Sequence, residues 1–492
     1  MLKKITFLVL LTVLVSAAFI SCSGDSANDN GLNGNNDVSE SVGADEETTA
    51  GRLTDNLPDK DLNGWTLNII SHHDGISNES TIYSEELNGE IINDAIYQRN
   101  SSLESRFNFT MNVTPGNGWG SDYTLLKNSV LAGSNDYNLS FMLPYAMSGN
   151  LVLDGYLYNM LDVEYINYDQ PWWHSNVNEM FTFFDYLPFA SSDFLLSSYQ
   201  YANILIFNKI MAEAYNIESI SDNVRGGTWT LDKFKEIISL FSNDMNGDGV
   251  FDVNDSYGFT TNFGYHAITW GYAVGEVGVK LSDDGVTLGY QSERFNNLAE
   301  WLYGILYNSD LTYEIGWDKE CDIKWDENRT FIQAMWLADL EKYRNNTSEY
   351  TIIPYPKYNE AQELYHTYMD ARAGAVAIPI TIDDESLENV GLVLEALACA
   401  SYNDIVPVYL ESITHSKYSR DPESIEMLDY ISAGRVWDIG YTFFDPNEYS
   451  WVIHKKLKTS DGNLTSAIAA MEGSATIYYE KILAAYKDLS EK

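Results

Sequence analysis

The stretch NDMNGDGVFDVND, Asn243 to Asp255, has the most regular spacing of oxygen-bearing side chains in the chain. Calcium takes roughly six to eight oxygen ligands, and a loop of about twelve residues can wrap one ion when those oxygens recur at alternate positions. Asp244, Asn246 and Asp248 would supply the first three ligands and Val250 its backbone carbonyl. Asp252 would act through a water, and Asp255 would close the ring. Gly249 permits the sharp turn, and Phe251 stands where an apolar residue pins such a loop to its core. The match is to the EF-hand loop, with Asp255 in place of the usual Glu. The shorter side chain makes bidentate closure harder. The competing reading is an Asx-rich turn that holds no metal.

The flanking elements separate the possible uses of such a loop. Leu231, Phe234, Ile237, Ile238 and Phe241 form one stripe in WTLDKFKEIISLFSN, so a helix is expected to enter the loop. The segment that follows, SYGFTTNFGY, does not read as a helix. A calcium sensor needs two helices whose angle changes on binding, and a docking module needs a second loop–helix repeat. Neither is present, so the loop is expected to be a structural Ca2+ staple inside a lobe.

A second chemical signal lies at the N-terminus. MLKKITFLVLLTVLVSAAFISC has two lysines, an apolar run from Ile5 to Ile20, and Ser21-Cys22. This is a signal-peptide layout over residues 1–21. The cysteine directly after it resembles the bacterial lipobox, with Phe19 where Leu is usual, so Cys22 is expected to carry lipid. The apolar run is shorter than the ~20 residues a membrane-spanning helix needs. Residues 22–56 are dominated by Ser, Gly, Asn, Asp and Glu and are expected to form a disordered stalk. The other two cysteines, Cys321 and Cys399, form no disulfide framework, CxxC motif or Cys/His metal pattern.

The net charge of −43, with only 29 Lys plus Arg, repels phosphate backbones and argues against nucleic acid as a partner. At 492 residues, 45% of them hydrophobic, the chain should build two or more lobes with packed cores. WTLNIIS (65–71), YNLSFMLP (137–144), ANILIFNK (202–209), EYTIIPYPK (349–357) and AGAVAIPI (373–380) read as strands, several of them buried on both faces. Helices are expected at NDAIYQRNSSLESRF, at DESLENVGLVLEALACAS, and at RDPESIEMLDYIS with Asp421 as N-cap and Pro422 in the first turn. Such alternation points to α/β lobes.

Five segments, in order, resemble extracellular solute-binding proteins of ABC importers, of the family 1-like, clostridial lipoprotein type. They are YDQPWWHSN (168–176), ILIFNKIMAEAYNI (204–217), the 226–259 segment around the calcium-like loop, IIPYPKYNEAQELYHTYMDARAGAVAIPI (352–380) and SRDPESIEMLDYI (419–431). The resemblance spans nearly all of the chain beyond the stalk. It implies a two-lobe, periplasmic-binding-protein-like fold (type II), with a ligand cleft between lobes joined by crossover strands. Lobe 1 would comprise residues 57–185 and 357–412, and lobe 2 residues 186–356 and 413–492. The implied role is capture of a carbohydrate, an oligosaccharide in many members, and its delivery to permease subunits. The protein would act as a monomer on the extracellular face of the cytoplasmic membrane, touching the membrane through its lipid alone.

Sugar recognition calls for aromatic faces against the ring C–H surface and planar polar groups for the hydroxyls. Trp172 and Trp173 are candidates, with one of the two facing the cleft if the segment is extended. Core packing is the competing reading for both. Trp270 sits before a Gly-punctuated run and is expected in a loop. Trp336 lies in FIQAMWLAD, which resembles the family's strand leading into a cleft loop. Arg372 precedes a buried strand and is either a cleft ligand or a carboxylate's partner. Arg435, Trp437 and Asp438 follow a helix end, where polar and aromatic groups can converge. Tyr145, and also His72, His73 and Asp74, follow the carboxyl ends of strands, where open α/β sheets place ligands.

The alternative from another class is a secreted, calcium-stabilised glycoside hydrolase. It needs two carboxylates about 5–10 Å apart in a cleft. No GxSxG, HExxH or P-loop pattern is present. The expectation is therefore a binder and not an enzyme.

Overall fold

The computed structural model describes residues 51–73, 82–118, 120–147, 151–262, 265–315, 325–343, 346–370, 372–414 and 421–492, with the backbone alone at 146–147 and 265–266. The leader, Cys22, most of the stalk, Asp74 and Cys321 lie outside the described residues.

Two sheets organise residues 52–492. The first has the order β12-β3-β1-β2 and contains β1 (Trp65–Ser71), β2 (Phe109–Pro115), β3 (Leu139–Met142) and β12 (Ala375–Ala377). β1 runs parallel to both β2 and β3, and β12 is antiparallel to β3. The second has the order β10-β4-β9-β5-β8, from β4 (Asn203–Asn208), β5 (Tyr257–Asn262), β8 (Thr312–Ile315), β9 (Thr330–Trp336) and β10 (Tyr350–Ile353). Here β5, β8 and β9 are parallel, while β4 and β10 close one side antiparallel. A hairpin of β6 (Val279–Ser282) and β7 (Gly285–Leu288) stands apart from both sheets.

The apolar runs predict this well. LSFM of β3 and NILIFN of β4 are buried throughout, as central strands covered on both faces must be. The helix Asp384–Asp404 is buried on nearly every side against the first sheet's helix Ile91–Phe107. With its extension to Thr414 it is long and apolar enough to cross a membrane by composition, yet 72% of its most apolar stretch is buried in the fold. The helix Pro422–Ala433 begins with Pro422 in the first turn, and the Asp421 carboxylate accepts from Ser424 Oγ at 2.6 Å.

The chain crosses between the sheets later than its sequence suggests. Ala190, expected in the second lobe, exchanges backbone hydrogen bonds with Val376 of β12. Lys357, expected in the first, pairs instead with Trp229 and Leu231 beside the second sheet. The crossings occur where β11 (Thr367–Tyr368) runs parallel to β13 (Arg435–Val436) and Ala202 bridges Met369. A Cβ on Gly434 would stand 1.8 Å from Tyr365 O, so only glycine lets these strands approach. Pairs of two residues are too short to leave a hydrophobic period in the sequence, and the proline-rich PYPK stretch displaced the expected boundary.

Candidate ligand-binding site

The parallel strands of each sheet deliver their carboxyl ends to one edge, which is where open α/β sheets receive ligands. Beyond β3, the short helix Pro144–Met147 carries Tyr145, half-buried. Its ring lies 5.4 Å from Tyr441 and 5.6 Å from Phe444. Tyr441 stacks on Trp451 at 5.3 Å, and Trp451 meets Phe444 at 5.7 Å and His454 at 4.9 Å. Tyr145, Phe444, Trp451 and His454 are all part-exposed. Together they form an aromatic wall.

Three devices hold that wall. Asp438 caps the helix Ile439–Thr442 through the Tyr441 N–H, which aims the Tyr441 ring. Buried Asp445 accepts from Asn447 N at 3.0 Å and Tyr449 N at 2.8 Å, folding the turn that presents Trp451. Tyr479, from the long C-terminal helix Thr465–Ser490, donates to Gly440 O at 2.9 Å.

A second cluster adjoins through the crossover segment. Tyr368 of β11 meets Tyr441 at 6.3 Å and stacks on Tyr272 at 4.3 Å. Four residues on, the Arg372 guanidinium lies 4.9 Å over the Trp336 ring and 3.5 Å from Asp370. Of the alternatives weighed for Arg372, the carboxylate partner is present, and the guanidinium also lies beside an aromatic face. Burial raises the Asp370 carboxyl's pKa, and Arg372 opposes that rise. Trp336 is the last residue of β9, as its resemblance implies. Its Nε1, and Asn262 Oδ1 at the end of neighbouring β5, are buried without hydrogen-bond partners. Trp336 Nε1 is a donor that a hydroxylated ligand could satisfy.

Other expected site residues are elsewhere. Trp172 and Trp173 are buried in the first sheet's core, and both indole N–H groups donate to Glu395, at 3.1 and 2.7 Å. The segment before them is a turn and not an extended strand, so their side chains need not oppose each other. Trp270 is no loop residue. It lies on the buried helix Tyr265–Ala273 against Phe234, Phe259, Trp301 and Tyr355. Arg435 lies 4.6 Å over Tyr199 and donates to Ser198 O, as part of the crossover and not of the wall. Tyr199 in turn donates to Asp193, which also bonds His174. Trp437 and Asp438 line a separate cavity. His72 is buried beside Asp122 at 3.2 Å, and His73 is half-buried.

Sequence reasoning missed Tyr441, Phe444, Trp451 and His454. The signal was available in GYTFFDPNEYSW, Gly440 to Trp451, where five aromatics crowd around a turn.

The calcium-like loop joins the helix Leu231–Ile238 to β5, closed by an Asn243–Ser256 bridge, and no second helix follows. Asp244 accepts from Gly247 N and Gly249 N, Asp248 from Val250 N, and Asp252 from Asn254 N. Asn246 accepts from Asp248 N. Buried Asp255 accepts from Met245 N and Asp252 N, and these backbone donors, Asp252 first, hold its carboxyl below the usual carboxylate range. Among the described residues, no three His, Cys, Asp or Glu side chains converge as metal ligands.

No family model matches the sequence, and no curated protein matches it. Among solved structures, the chain resembles a family 1 extracellular solute-binding protein from Bifidobacterium longum subsp. infantis. The TM-score is 0.51 at 11% identity, over 86% of this chain and 99% of that one. A solute-binding protein from Thermotoga lettingae bound with α-D-tagatose matches at TM-score 0.49 and 13% identity, over 86% of this chain and 100% of that one. An ABC substrate-binding protein from Listeria monocytogenes in complex with cycloalternan matches at 0.48 and 10%, over 87% and 98%. The Bifidobacterium match, together with the two sheets and their crossovers, shows a two-lobe solute-binding-protein fold.

Proposed function

We propose that this chain is a lipid-anchored extracellular solute-binding protein that captures a carbohydrate between its lobes and passes it, unchanged, to an ABC-type permease. The observation that carries the reading is the aromatic wall of Tyr145, Tyr441, Phe444 and Trp451 beyond the carboxyl end of β3, which Tyr368 of the crossover segment also meets. These rings would stack on sugar C–H faces, with Arg372 and Asp370 meeting the hydroxyls. Trp336 Nε1 would gain the partner it lacks. The crossovers at 201–202, 367–370 and 435–436 would act as the hinge about which the lobes close.

In this reading lobe 1 takes residues 57–199 and 374–412, and lobe 2 most of the remainder. Cys22 holds the lipid and the stalk lifts the lobes from the membrane. The loop 244–255 takes Ca2+ as a staple for lobe 2. It carries four carboxylates, while Arg329 spends its Nη1 donors on the Val253 and Asp255 carbonyls, so a cation would relieve their mutual repulsion.

The test is calorimetry of the mature chain against a panel of neutral oligosaccharides, with product analysis of the same mixtures. Binding of an intact glycan, weakened about tenfold or more by Trp451→Ala at unchanged melting temperature, is the expected result. Cleaved sugar would overturn the binder reading, and binding of peptides alone would overturn the carbohydrate.

A further inference from the structure

A cavity of about 570 Å³ lies between residues 179–183, beside the first sheet, and the β6–β7 hairpin. Tyr272 (1% exposed), Asp438 (3%) and Trp437 (5%) form its floor, with Val279 and Ile439. Its exposed mouth carries Glu179, Lys280, Ser282 and Asp283. None of the aromatic wall residues Tyr145, Tyr441, Phe444 and Trp451 lines it; it borders the site described above through Tyr272 and Asp438.

Asp438 is unusual among the buried carboxylates. One oxygen caps the helix Ile439–Thr442, while Oδ2 is buried without a hydrogen-bond partner. The buried Tyr272 hydroxyl stands beside the carboxyl and eases its ionisation as a hydrogen-bond donor, but brings it no counter-charge. Burial pushes the Asp438 carboxyl up to about 7, and what opposes it is Tyr272 and the backbone N–H groups of Tyr441 and Gly440, with no lysine or arginine. A buried carboxylate is stable as an anion only when paired. The walls otherwise offer aromatic faces and the aliphatic side chains of Val277, Leu281 and Val436. At the mouth two carboxylates face one lysine, and burial lowers the pKa of His366, favouring its neutral form.

We propose that this cavity binds a small organic cation, an ammonium group on an apolar body, seated against Asp438 between Tyr272 and Trp437. A cation supplies the charge that Oδ2 lacks and gains from the aromatic faces. A neutral polyol would leave its hydroxyls against aliphatic walls. The chain's net charge of −43 raises the local concentration of cations around it. The proposal does not depend on the carbohydrate reading.

The experiment titrates the full mature chain with choline and, separately, with its uncharged isostere 3,3-dimethylbutan-1-ol, followed by calorimetry. Choline should bind, and the alcohol should bind about tenfold more weakly or not at all. Asp438→Asn keeps an acceptor for the helix cap and should melt close to the parent while losing choline affinity about tenfold or more. Ser282→Trp, placed at the exposed mouth, should also block choline without touching the core, and it decides the matter if the first variant fails to fold. No choline binding, equal binding of the alcohol, or unchanged affinity in the folded variants would overturn the proposal.

Discussion

Glu395 illustrates how much at the scale of single residues depends on partners far away in the chain. It is buried on the helix Asp384–Asp404 and accepts both indole N–H groups of the Trp172–Trp173 pair, along with Asn167 N. Burial still dominates and raises its carboxyl from the ordinary 4.5 to about 6. A carboxyl whose folded pKa is raised favours the protonated folded state. Its contribution is therefore complete below about 4.5 and is lost as pH rises through about 6, amounting to about 2 kcal/mol at most. Urea unfolding of the parent and Glu395→Gln across pH 4–7 should show the parent losing about that much relative to the variant. Parallel pH profiles would contradict the assignment. The tryptophans themselves were legible, but their partner lies more than two hundred residues away, and no local pattern announces it. Trp336 and Arg372 could be singled out because each borders a strongly apolar strand, whereas the aromatic turn at 440–451 has no period to follow.

At the scale of elements, long apolar runs were read correctly and short connections were not. β3, β4 and the stretch 389–399 of the helix Asp384–Asp404 bury everything they carry, so composition alone identifies them. β11 and β13 pair over two residues each, and only the tight approach at Gly434 marks the crossing. The loop after the helix Leu231–Ile238 has no second helix behind it, as expected, and leads into β5. Calcium bound to the folded loop and not to the unfolded chain would add stability by linkage. Chelation is expected to lower the melting temperature by several degrees, with Asp248→Ala melting like the chelated parent and indifferent to chelator. A parent whose melting is unmoved by chelator would leave the loop as an Asx-rich turn.

For the whole molecule, the chain passes between two sheets where Ala202 bridges Met369 and β11 pairs with β13, and the proposed function requires it to bend there. Arg435 over Tyr199, and the Tyr199–Asp193–His174 chain, fasten one crossing to the first sheet. Size and the alternation of strands and helices pointed to α/β lobes and the resemblance implied the two-lobe arrangement, while the cavity at Asp438 could emerge only from three-dimensional packing. The most direct measurement is small-angle X-ray scattering of the mature chain, alone and saturated with the glycan that calorimetry identifies. The account predicts a smaller radius of gyration in the liganded sample, as the lobes close on the sugar. Superimposable curves with every glycan that binds would contradict it.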